Sequence, residues 1–412
     1  MRRRKFLRHI LGAPLAASAF LYGNPFGPGL RFAHAATGKT FVVIFNRGGC
    51  DGLNTVIPYR DLDYYKLRPN IAIRKPGSGS GASLNLDGFF GLHPALAPLH
   101  KIYTRGDVAV LPAVQYKNAS RSHFDGQKII ESGVAQTARS NGWFNRHLSN
   151  FPQSGNIRAA SFGHLSHTLS GSARVSTIDN LSDFIDADPQ ANNIQQSLRQ
   201  VFNQGTNAKD SNRRLLHRHG RFMLDDLDEI STVMSGTYTP ANKAVYPTGN
   251  YGLQMMQLAR LIKAGVGLEA ATVSLGGWDT HANQGGVSGR LANNQAEFAA
   301  GVAALYQDLG SGLMNDVIIL SMTEFGRTAL QNASGGTDHG HASSWFVIGS
   351  SVNGGIYGIW PGLQPNDLLA GRYLNHSTDY RDIIGEIIIN HLGNTDTNTI
   401  LPNHSYQPVG FL

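Results

Sequence analysis

The chain has 412 residues, a formal net charge of +7 and one cysteine, Cys50. Six basic residues and no acid fall in the first 35 positions, so the charge from residue 36 onward is +1. No Lys/Arg run remains there to track phosphates, and nucleic acid is set aside as a partner. A lone cysteine forbids an internal disulfide and reads as a small buried hydrophobe, so stability must come from a core, for which about 377 residues are ample.

Taken in order, Arg2-Arg3-Arg4-Lys5-Phe6-Leu7-Arg8 precedes a short apolar stretch from Ile10 to Leu21, and Ala33-His34-Ala35 supplies small residues at the spacing of a cleavage site. The stretch is too short to cross a bilayer stably. Residues 1–35 therefore read as a cleaved signal peptide, with no stable membrane span after cleavage, and 36–412 as the mature domain. Arg3-Arg4-Lys5-Phe6-Leu7 resembles a twin-arginine export signal, which implies the twin-arginine translocase as export partner and a periplasmic or secreted protein.

The apolar run 41–46 predicts a strand feeding the loop Arg47-Gly48-Gly49. Leu92-His93-Pro94 opens a helix through Leu96, Leu99 and Ile102 that Gly106 stops, and 108–111 is the next strand. Residues 180–250 are polar and helical in pattern, a cap or insertion. A helix at 252–264, a strand at 271–275, and Leu291, Phe298, Val302, Leu305 and Leu309 at helical spacing follow. The continuous apolar run 317–320 has the signature of a parallel strand buried on both faces, and a strand at 345–348 and a helix at 380–391 complete the series. Strands alternating with helices predict an α/β fold, a three-layer sandwich with a mainly parallel central sheet.

Ionisable residues gather just beyond these strands, where a parallel sheet brings distant loops to one edge. Asp51 follows the first strand among glycines that allow close backbone approach. Asp279 and His281, two apart in an extended loop, project the same way, and Asp338, His339 and His341 place three potential ligands in four residues. Such a mix of carboxylate and imidazole suits a divalent metal: zinc, manganese, calcium or magnesium. Glu324 can ligate a cation or act as a base, and Arg327 can fork onto an oxyanion. In Ser120-Arg121-Ser122-His123-Phe124-Asp125 a hydroxyl, an imidazole and a carboxylate lie close in sequence, which fits a metal-activated serine better than a triad.

These motifs, together with Gly-Gly-Cys-Asp-Gly-Leu-Asn at 48–54, Leu92-His93-Pro94, Trp278-Asp279-Thr280-His281 and Thr323-Glu324-Phe325-Gly326-Arg327, resemble the secreted bacterial family called domain of unknown function 1501. Their order also resembles the alkaline phosphatase and sulfatase superfamily. That resemblance implies an alkaline-phosphatase-like fold and an exported metal-dependent hydrolase of phosphate or sulfate esters, acting on a small-molecule or polymeric ester. It implies Asp51 and Glu324 near one metal, Asp279, His281 and His339 near another, and Ser122 or Ser120 as nucleophile; His123 and Arg327 are the further catalytic candidates read from the residues themselves. The chain departs from the superfamily where Glu324-Phe325 replaces Asp-His, with His341 or His93 as substitute ligands, and Cys-x-Pro-x-Arg is absent. The alternative is a degenerate member that binds an anion, a glycan or a surface partner.

Overall fold

The computed structural model describes residues 38–179, 189–204 and 210–412; the expected signal peptide lies outside them. The strands are β1 (Thr40–Asn46), β2 (Val56–Ile57), β3 (Leu84–Asn85), β4 (Gly91–Leu92), β5 (Val108–Gln115), β6 (Ala159–Phe162), β7 (Ser176–Ile178), β8 (Ala270–Leu275), β9 (Val317–Met322), β10 (Ser343–Ile348), β11 (Gly355–Ile356) and β12 (Thr378–Asp379). β2, β4 and β3 form a small sheet. The other nine form the central sheet in the order β11-β5-β10-β9-β1-β8-β6-β7, with β12 also on β5. Its pairings are parallel except those of β10, which runs antiparallel to both β9 and β5.

The pleat of β1 divides the core in two. Phe41, Val43 and Phe45 share one face with Trp143, Phe144, Ile383 and Ile384, whereas Val42 and Ile44 share the other with Leu258, Phe298, Val302 and Leu305. The Phe41 ring lies 5.6 Å from Trp143 and 5.0 Å from Phe144, centroid to centroid. Burying each such side chain contributes roughly 1.5–3 kcal/mol, so both faces of the sheet are bound to helices by apolar area. Helices His123–Ser132, Trp143–Asn150 and Tyr380–Glu386 cover the first face; Ala97–Tyr103, Asn250–Ala264 and Arg290–Met314 cover the second. The three-layer sandwich expected from the alternation is the observed fold.

The elements read from sequence are present with longer bounds, since β5 runs to Gln115 and β10 begins at Ser343. The C-terminal helix changes pitch, with a π-helical turn at Ile387–His391. Within 180–250, helices Pro189–Gln204 and Ser211–Met234 pack on each other, and the second also packs on Asn250–Ala264; residues 180–188 and 205–209 are outside the described set. No helix among the described residues is long and apolar enough to cross a membrane.

The direction of β10 positions the site. Loops after β1, β5, β8 and β9 leave the sheet at the shared carboxyl edge. Because β10 runs the other way, the segment before it, Thr337–His341, arrives at that same edge.

Candidate metal and oxyanion site

Two glycines let the loops close. Gly48 has φ +123°, and a Cβ there would lie 2.6 Å from the amide nitrogen of Asp279; Gly49 has φ +71°, and its Cβ would lie 2.6 Å from the Phe325 ring. Only glycine fits both the backbone conformation and the approach. Arg327 and His339 face each other as an isolated antiparallel bridge, which joins the segment after β9 to the segment before β10.

Around Asp279 this brings His123, His281, Arg327 and His339 together. Asp279 Oδ1 lies 2.8 Å from Arg327 Nη1, 3.1 Å from His281 Nε2 and 3.4 Å from His339 Nε2, while Oδ2 lies 3.6 Å from His123 Nε2. The donor atoms of His123, Asp279 and His339 all fall within 4.8 Å of one another. Short as the contacts are, they lack hydrogen-bond alignment: His123 Nε2, Asp279 Oδ1, His339 Nε2 and all three Arg327 side-chain nitrogens are buried atoms without a hydrogen-bond partner. Arg327 is only 1 % exposed. A buried guanidinium normally spends its donors on acceptors, and orphaned polar atoms cost free energy, so their concentration here marks where a ligand belongs.

The far sides of the two imidazoles are anchored. His123 Nδ1 lies 2.8 Å from Glu324 Oε1, and His339 Nδ1 lies 2.8 Å from the carbonyl oxygen of Arg121. A ring nitrogen that donates to an oxygen leaves the other nitrogen with its lone pair, so both Nε2 atoms are presented as ligand atoms. The hydrogen bond to Glu324 holds the His123 pKa above the ordinary value against the opposing effect of burial. Burial lowers that of His339. Burial alone would raise the Asp279 carboxyl, but the charge and contact of Arg327, with His281 and His123, bring it below the ordinary range. Phe325 lies beneath, its ring 4.8 Å from His123 and 4.9 Å from His339.

Other residues singled out by sequence are placed differently. Asp51 is fully buried, with Arg68 Nη1 and Nη2 at 2.6 and 2.9 Å from its two oxygens and Gln284 Nε2 donating at 2.6 Å, so its carboxylate is engaged in a buried ion pair outside the cluster. Glu324 reaches the site only through His123. Its Oε1 accepts from Gly48 N, His123 Nδ1 and Gln127 Nε2 at 2.8–2.9 Å, and Thr323 Oγ1 donates to Oε2 at 3.1 Å. These bonds, His123 first, overcome burial and lower its pKa. Asp338 accepts from Asn332 Nδ2 and meets His281 Nδ1, both at 3.1 Å, and these bonds lower its pKa.

His341 is buried against His376, its Nε2 3.0 Å from His376 Nδ1, with its pKa pushed down by burial to about 3. His93 is a helix cap, its Nδ1 accepting from Ala95 N while its Nε2 lies 3.0 Å from the Gly286 oxygen; neither histidine substitutes for a ligand. Ser122 caps the helix His123–Ser132 without a side-chain bond to it, and its N–H donates to Ser120 Oγ at 3.2 Å. The buried Cys50 thiol is pushed up to about 12 by burial, which fits packing rather than nucleophilic attack. Gln127 and Arg68 went unnoticed in the sequence because neither lies near a strand end.

The fold and cluster define a three-layer α/β protein with a histidine, carboxylate and arginine centre at the carboxyl edge of its sheet. The chain belongs to the family described as Protein of unknown function (DUF1501), whose model matches residues 112–401. Curated proteins give no significant match. Among solved structures it is similar to the lipoteichoic acid synthase LtaP from Listeria monocytogenes, at 10 % identity and TM-score 0.38 over 94 % of this chain and 78 % of that one. It is also similar to the PsFucS1 sulfatase from Pseudoalteromonas sp., at 12 % identity and TM-score 0.38 over 87 % and 68 %. The alkaline phosphatase from the Antarctic bacterium TAB5 aligns at 11 % identity and TM-score 0.30 over 77 % and 94 %.

Proposed function

We propose that the protein is an exported hydrolase of phosphate or sulfate esters that works with a divalent cation held by His123, Asp279 and His339. The reading rests on one small volume of polar atoms without aligned hydrogen bonds: two imidazole nitrogens and a carboxylate oxygen fit a cation, and the Arg327 guanidinium, ion-paired to that carboxylate through Nη1, fits an oxyanion. Two imidazoles with one carboxylate favour zinc over calcium or magnesium, which prefer all-oxygen sets.

When bound, the cation supplies Lewis-acid charge to an ester oxygen. Arg327, rigid by burial, would bind two oxygens of the same group and offset charge as it develops. Glu324 and the Arg121 carbonyl keep His123 and His339 in one orientation each. Ser122, whose hydroxyl is not spent on capping its helix, is the proposed nucleophile. Export through the twin-arginine translocase, with loss of residues 1–35, belongs to the same proposal; the mass of the mature protein recovered outside the cytoplasm tests it.

Elemental analysis of the mature protein, paired with phosphomonoester, phosphodiester and sulfate ester assays, tests the activity. Stoichiometric metal and turnover are expected, both lost in Asp279→Asn and His339→Ala with the circular dichroism spectrum retained. The second reading, a degenerate member kept for binding, draws support from Asp51 and Glu324, whose engaged carboxylates leave three convergent donors among the described residues. A folded wild-type protein without metal or turnover would establish it.

A further inference from the structure

Beyond the metal cluster, one aromatic ring carries two arginines. The guanidinium carbon of Arg121 lies 4.5 Å from the centroid of Tyr373, and that of Arg372 lies 5.6 Å from the same centroid. Both belong to the rim of the candidate site: Arg121 supplies the carbonyl that anchors His339, and Arg372 Nη2 stands 3.7 Å from Asp338 Oδ2. Neither guanidinium donates a hydrogen bond to the protein among the described residues. Packing on the ring orders a guanidinium through cation–π attraction and leaves its N–H edge outward. Two like charges over one ring repel, which an anion seated between them relieves. Asp338 offsets part of the Arg372 charge, so Arg121 is the stronger of the two readers.

The helix turn that carries His123 adds a second element. Phe124 is 82 % exposed, the highest value for a large apolar side chain among the described residues. An uncovered phenyl ring three positions along the chain from Arg121 suits a ligand with both a flat C–H face and an anionic substituent, as a charged sugar ring has. From residue 36 onward the chain carries only +1, so any attraction for polyanions is local to this rim and not a property of the whole surface.

We propose that the rim formed by Arg121, Arg372, Tyr373 and Phe124 is a subsite for an anionic saccharide, whose second sulfate or phosphate is read by the arginines while its ring stacks on Phe124. The proposal rests on the hydrolase reading above for the position of the scissile ester, but saccharide binding at the rim is measurable without turnover.

Calorimetric titration of the mature, metal-loaded protein with dextran sulfate, neutral dextran and oligothymidylate tests it. Dextran sulfate is expected to bind at least ten-fold more tightly than either of the others. The Arg121→Ala/Arg372→Ala variant is expected to lose at least ten-fold in that affinity, and Phe124→Ala at least three-fold. Wild-type affinity in either variant, with folding verified by circular dichroism, overturns the subsite. Oligothymidylate binding as tightly as dextran sulfate overturns the saccharide assignment. Metal content and ester turnover measured on the same samples separate the two levels. Selective binding without turnover removes the hydrolase reading and supports this one, whereas turnover without selective binding does the reverse.

Discussion

Gly48 and Asp279 are packed backbone to backbone, so that one added carbon on Gly48 would stand 2.6 Å from the Asp279 amide nitrogen. Gly48→Ala therefore has to move the carboxylate that touches Arg327 and His281, and it also forces a side chain into φ +123°. The backbone strain alone costs about 1–3 kcal/mol. Metal affinity measured by titration is expected to fall more than stability measured by urea denaturation, because the displaced group is the proposed donor.

Asp51 and Arg68 form a buried pair whose disruption should be felt by the fold. Removing one partner of such a pair costs roughly 3–5 kcal/mol because it strands the other charge. Asp51→Ala is expected to shift the urea midpoint strongly, while any folded fraction retains the metal stoichiometry of the wild type. Loss of metal from well-folded Asp51→Ala would return Asp51 to the ligand set.

Glu324 meets the cluster only at the far side of His123, whose Nδ1 it holds, so Glu324→Gln should leave the metal stoichiometry intact and weaken its binding. A second-sphere partner of this kind is typically worth 10–100-fold in metal affinity. Competition with a chelator of known affinity measures the change, and an unaltered dissociation constant would remove Glu324 from the site.

Cys50, buried and with a thiol pushed up to about 12, should resist alkylation by iodoacetamide at pH 8 in the native protein and react quickly in denaturant. Cys50→Ser is expected to retain full turnover. Fast native labelling, read by mass spectrometry, would contradict the packing role.

His391 predicts the pH dependence of stability. Its Nε2 lies 3.1 Å from the Thr40 carbonyl at the start of β1, and burial, opposed by that hydrogen bond and by Asp316 and aided by Lys39, lowers its pKa to about 4. The unfolded chain, with an ordinary histidine near 6.5, therefore binds more protons between those values. The contribution is complete above pH 6.5 and is lost as pH falls toward 4, on the order of 3 kcal/mol. Urea denaturation at pH 7 and pH 4.5 should show the loss, and His391→Gln should flatten it.

The sandwich was legible because β1 and β9 carry continuous apolar runs buried on both faces, and such runs belong to parallel sheets. The two-residue strands β11 and β12 gave no signal, since two residues show no period. Asp279, His339 and Arg327 were legible as ionisable residues beyond strand ends. His123 was legible as a chemical residue but not as the partner of Asp279, which is 156 positions away. Asp51 and Glu324 share the same position beyond a strand yet serve to hold the architecture. What separates them is the identity of their partners, Arg68, Gln284 and Gln127, and nothing local announces those contacts.

The reversed direction of β10 has a consequence for the order in which the molecule is assembled. His123 follows β5 and His339 precedes β10, and their rings meet at 4.4 Å only when β10 has inserted between β5 and β9. An intermediate lacking that one strand would have a split sheet and its two imidazoles apart. Contact between these rings therefore reports that β10 has joined β5 to β9, and a probe of either ring would time that step.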